Sequence, residues 1–191
     1  NIGIWRQTDM KRIQDFKNIK PINEYPKIIP GGYVCRITGV KDYFEKEYLK
    51  IEYDIAEGEL RGYYLHLFQS KGFWGGKLIR SYKESAKRFF KAFINAVEDS
   101  NEGYHFDFDE NTLVGNWIGL VLAEEEYKAM DNTIKKRLYV HSVKTVEDIR
   151  KSNFTIPELK TYQSEYMSQN KNVTYGYDFY PVEDTDDDLP F

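Results

Sequence analysis

The feature that most restricts what this chain can fold into is a change of hydrophobic period part-way along it. Between Tyr48 and Ile55, Leu49, Ile51, Tyr53 and Ile55 alternate with Tyr48, Lys50, Glu52 and Asp54. Successive side chains of an extended backbone point to opposite faces, so this octet describes a strand with one face on a core and one in water. The β-branched and aromatic run from Tyr33 to Val40 reads as its partner across the charged loop Lys41 to Glu47. Gly62 to Phe68 alternates again, with Tyr63, Leu65 and Leu67 opposite Tyr64, His66 and Phe68, and predicts a third strand. From Leu78 the period becomes 3.6: Tyr82, Ala86, Phe89, Phe90, Phe93, Ile94 and Val97 make one stripe, with Arg80, Lys83, Lys87 and Lys91 on the other side, which predicts a helix.

Trp117 to Glu126 and Lys136 to Val143 read as a hairpin around Asp131-Asn132, followed by a short helical stretch at Val146 and Ile149. Past Pro157 the apolar periodicity ends. The reading is an N-terminal arm over 1–30, one domain over 31–159, and a polar linker with an acidic tail over 160–191. Three strands, a helix and two strands is the order of the OB-fold, a mainly β, five-stranded, partly open barrel with one helix between its third and fourth strands. Other five-stranded barrels and an α+β sandwich fit the same order.

Several classes fall away. The longest apolar runs, such as Trp117 to Ala123, are far below the roughly 20 residues that cross a bilayer, and no charged n-region with an apolar h-region opens the chain, so neither a membrane protein nor a secreted precursor is expected. Cys35 has no disulfide partner, and His66, His105 and His141 give no zinc spacing. Gly72 to Lys77 has one residue too few for a phosphate-binding loop and lacks its Ser or Thr. Asp107-x-Asp109-x-Asn111 opens like a calcium loop but carries Thr112 where the turn needs glycine. No nucleophile and base stand in a recognisable pattern; no enzyme, metal or cofactor is expected.

Basic and aromatic residues interleave in the segments an OB-fold would place on its ligand face. Sequence-tolerant single-strand binders need cations for the phosphates and rings on which bases stack. The candidates are Lys41, Tyr43, Phe44 and Lys46 in the first hairpin loop, Tyr48 and Lys50 on the second strand, and Tyr64 on the third. Phe73, Trp74 and Lys77 follow in the glycine loop, and Tyr127, Lys135, Lys136 and Arg137 in the last hairpin. For any single ring, core packing is the competing reading.

Net charge is -4, but all 27 Lys and Arg lie in residues 1–171 against 25 acids, which leaves that body at +2 and the last twenty residues at -6. The chain ends Asp186-Asp187-Asp188-Leu189-Pro190-Phe191. A partner can take the ring in an apolar pocket and the carboxylate on Arg or Lys. This ending resembles the C-terminal tip of bacterial single-stranded DNA-binding proteins. Gly31-Gly32-Tyr33-Val34-Cys35-Arg36-Ile37, with Tyr48 to Gly58 after it, resembles single-stranded DNA-binding proteins of phages and mobile elements of Gram-positive bacteria. The resemblance implies a protein of the bacterial host cytoplasm that coats single-stranded DNA in replication or recombination. It also implies recruitment of partner proteins through Asp186, Asp187, Asp188, Leu189, Pro190 and Phe191. Self-association stays open, as does a rival reading in which the barrel is an adaptor that holds a protein and no nucleic acid.

Overall fold

The computed structural model describes residues 11–19 and 27–162. Its elements are β1 (Gly31–Tyr43), β2 (Tyr48–Ile55), α1 (Tyr63–Lys71), β3 (Lys77–Ser81), α2 (Lys87–Ser100), β4 (Trp117–Lys128), β5 (Ile134–Lys144) and α3 (Val146–Arg150). The strands form one five-stranded sheet in the order β3-β2-β1-β4-β5, every neighbouring pair antiparallel. β3 and β5 are its two edges; the sheet is not closed into a barrel. The expected mainly β, five-stranded architecture is present; the expected partly open barrel is not, since the strands form one sheet with two edges.

One face carries the main core. Cys35, Ile37, Ile51, Ile55, Ile118, Leu120 and Leu122 meet Phe93 and Val97 of α2, each at most 2% exposed. One face of the sheet and one amphipathic helix thus bury each other's apolar stripes. On the opposite, outer face a smaller cluster of Val34, Val121, Val146 and Ile149 lies under α3, with Trp117 and Phe154 against it. α3 comes so close that a Cβ on Gly119 would sit 2.5 Å from the Thr145 carbonyl oxygen. Only glycine allows that approach. α3 covers the part of the outer face formed by the first half of β4 and the start of β1, and the start of α1 covers Asp54 at the end of β2; neither covers the outer face of β1 and β2 between Tyr43–Tyr48 and Gly39–Glu52, nor that of β3.

Three sequence expectations are overturned, the first being the loop Lys41 to Glu47, of which Lys41, Asp42 and Tyr43 belong to β1 and pair with β2. Gly62 to Phe68 is not a strand: residues 63–71 are helix α1. The buried Asp54 carboxylate at the end of β2 accepts from the backbone N–H groups of Tyr64 (2.8 Å) and Leu65 (3.2 Å), capping the helix from a distant element. The predicted helix from Leu78 begins only at Lys87; Lys77–Ser81 is strand β3, with Leu78 paired to Ile51 and buried in the core. The glycine loop that leads into β3 lies against β2, where Tyr53 N–H donates to the Gly76 carbonyl at 2.9 Å and a Cβ on Gly76 would stand 2.2 Å from the Tyr53 carbonyl oxygen. β3 is therefore held in the sheet by a backbone contact that no larger residue permits.

Candidate functional site

Residues opposite one another in an antiparallel ladder share a face, so register places the side chains. Tyr43 pairs Tyr48, Lys41 pairs Lys50, and Gly39 pairs Glu52. Lys50 in turn pairs Ile79 and Glu52 pairs Lys77. All of these lie on the outer face, opposite the buried Leu49, Ile51 and Tyr53. The Tyr43 and Tyr48 rings stack, with centroids 4.7 Å apart and planes 16° apart. Such pairs add about 0.5–1.5 kcal/mol beyond the area they bury. The Lys41 ammonium lies over the Tyr43 ring, 5.1 Å from its centroid. Phe44 and Lys46 belong to the 3-10 turn Phe44–Lys46 at the same end of the ladder, with Phe44 79% exposed.

Lys41, Lys46, Lys50 and Lys77 make no ion pair among the described residues. Lys41 and Lys50 stand directly opposite each other, an arrangement that destabilises a sheet. Two carboxylates stand among them, Glu45 in the Phe44–Lys46 turn and Glu52 on the ladder, whose Oε2 would be 3.2 Å from a Cβ on Gly39. The result is an uncovered surface where rings and cations alternate.

The remaining candidates separate from this group. Tyr64 is buried; its ring meets Tyr53 edge-on at 5.4 Å, so it belongs to the core and not to a ligand face, and burial raises its phenol pKa above the ordinary value. Trp74 is half-buried against the core with its indole N–H on the Gly76 carbonyl at 3.1 Å, whereas Phe73 beside it is exposed. The hairpin cations are already paired within the hairpin: Lys135 with Asp131 (3.1 Å), Lys136 with Glu124 (3.6 Å), and Arg137 with Glu125 (2.7 Å). Arg137 also lies over the Tyr127 ring at 5.0 Å. Asp131, at the hairpin turn, is pulled down to about 2 by the Thr133 hydroxyl, then the Thr133 N–H and Lys135. The hairpin meets the Gly31 end of β1 and the Tyr43–Tyr48 pair sits at its other end, so the two halves of the expected interface do not meet. Asp186, Asp187, Asp188, Leu189, Pro190 and Phe191 lie outside the described residues.

Register adds residues that sequence reasoning missed. Ile79 is on the face through its pairing with Lys50, and Arg36 through its pairing with Asp54 and Trp117. The ladder shifts register between Ile37 and Gly39, so Thr38 is an extra residue, a bulge. Counting back by twos from Lys41 reaches Ile37, a core residue; only the bulge brings Arg36 onto the lysines' side. No group of three His, Cys, Asp or Glu able to hold a metal ion occurs among the described residues. No helix among them is long and apolar enough to cross a membrane. No protein-family model matches the chain, and no curated protein matches it either.

Proposed function

We propose that the protein binds single-stranded DNA without strong sequence preference, on the uncovered outer face of β1, β2 and β3. The observation that carries this reading is the stacked Tyr43–Tyr48 pair bordered by Lys41, Lys50 and Lys77, cations with no carboxylate partner among the described residues. A base can continue the tyrosine stack while the lysines neutralise phosphates, and neither contact reads base identity. The strand order β3-β2-β1-β4-β5, with α2 between β3 and β4, supports an OB-type sheet open between β3 and β5. The acidic, phenylalanine-ended tail fits recruitment of replication or recombination proteins by the same logic of pocket and charge.

The test is a titration of intrinsic fluorescence with oligo(dT) at low and moderate salt. Saturating quenching that weakens as salt rises is expected. Tyr48→Ala should weaken binding by the worth of one base stack, about 1–3 kcal/mol, or roughly 5- to 150-fold. Absence of quenching by the intact chain at low salt removes the reading.

One observation favours a protein-holding adaptor instead: Leu65 and Phe68 of α1 and Phe73 after it, three large apolar side chains within nine residues, are all more than 40% exposed. Under that reading oligo(dT) leaves the fluorescence unchanged and Tyr48→Ala is silent.

A further inference from the structure

We propose that Arg36 is a second anchor of the nucleic-acid face, a phosphate contact at the opposite end from the tyrosine pair, and that the distance between the two sets the shortest single strand the protein grips fully. The inference rests on the outer face being the DNA site.

Arg36 is exposed on that face. Its Nε–H donates to the Gly115 carbonyl at 2.9 Å. That loop is itself pinned across β1, Ile37 N–H donating to Asn116 O at 2.9 Å and Gly115 N–H to Ile37 O at 2.8 Å. One edge of the guanidinium is thereby fixed, and its two terminal nitrogens make no hydrogen bond among the described residues. The carboxylate opposite it in the ladder is Asp54, which would ordinarily take such a cation. Asp54 instead accepts from the N–H groups of Ile55, Tyr64 and Leu65, and forms no ion pair with Arg36. A planar fork held along one side, with its other donors unused and its natural counter-ion diverted, is suited to bidentate capture of a phosphate.

Position gives the contact a function beyond added charge. Six ladder steps separate Tyr43 from Arg36 once the Thr38 bulge is removed, about 20 Å at roughly 3.3 Å per residue. Beyond Arg36 the face ends, because Val34 and Val121 lie under α3 and Phe154. A strand laid from the tyrosines toward Arg36 therefore has a start and a stop, separated by about six nucleotides at a stacked rise of roughly 3.4 Å.

The test measures affinity for (dT)n of increasing length, at several salt concentrations, for the intact chain, Arg36→Gln and Arg36→Lys. Glutamine keeps an N–H for the Gly115 carbonyl without the charge; lysine keeps the charge. Affinity of the intact chain should climb with length until both anchors are covered. For Arg36→Gln the climb should stop at a shorter length and the slope of log affinity against log salt should be shallower by about 0.7, one phosphate contact to a single strand, whereas Arg36→Lys keeps the slope. Thermal unfolding of each variant checks that the sheet is intact. If the intact chain binds and Arg36→Gln matches it in slope and length profile, the Arg36 assignment is wrong. Equal weakening of both variants at unchanged slope makes Arg36 a structural brace and overturns it too. An intact chain that does not bind fails the DNA reading itself, and the anchor with it.

Discussion

Lys41 and Lys50 face each other across the ladder between β1 and β2 with no acid between them, and a sheet selected for stability alone avoids this. Replacing one should help the fold and harm the proposed function. Lys50→Thr is expected to raise stability by about 0.2–1 kcal/mol at low ionic strength, with the gain shrinking at about 1 M salt, where the screening length falls to roughly 3 Å. The same variant should bind oligo(dT) more weakly, so paired thermal-unfolding and titration curves check it; a variant that loses stability denies the repulsion. These residues were legible in the sequence because Tyr48 to Ile55 keeps strict alternation. Arg36 was not, since one bulged residue breaks the count, and Tyr64 was misplaced because its segment is helical and its ring turns into the core.

At the scale of elements, β1, β2, β4, β5 and α3 follow from local pattern, while α1 and β3 do not. The stretch from Gly62 to Phe68 has the aromatic content of a strand, and its helical state depends on Asp54, eight or more residues upstream. A local signal was nonetheless present: Gly62 and Gly72 bracket the helix in the left-handed region, at φ 76° and 78°, and the Gly72 N–H closes it on the Phe68 carbonyl. β3 was hidden because Leu78, Tyr82 and Ala86 fall at helical spacing, although only Ala86 adjoins the helix and Leu78 enters the core from a strand. Asp54→Ala leaves the buried Tyr64 N–H and the partly buried Leu65 N–H of α1 without their acceptor and should cost about 1–3 kcal/mol. Hydrogen exchange should show Tyr64 and Leu65 amides losing protection while β1 and β4 amides keep theirs. Uniform loss across the sheet would mean that Asp54 supports more than this helix.

For the whole molecule, the charge division matters more than the net charge. A terminal segment at -6 and a DNA strand would compete for the cations of a body at +2, so deleting residues 178–191, which hold all six of those acids, should tighten oligo(dT) binding most at low salt; unchanged affinity there would show that the tail does not reach the lysines. The sheet's two open edges carry Lys77 on β3 and Lys135, Lys136 and Arg137 on β5, charges that discourage edge-to-edge pairing with other chains. The bulge at Thr38 gives the molecule an uneven tolerance for changes of length. Loss of that single residue would join Ile37 to Gly39 in plain alternation and keep Cys35 and Ile37 inward, whereas one residue more, without a second bulge, would turn Cys35 and Ile37 toward water and Arg36 toward Phe93 and its neighbours. A one-residue deletion at Thr38 should therefore be tolerated and a one-residue insertion beside it purged, because there one added codon decides which side of the sheet faces outward.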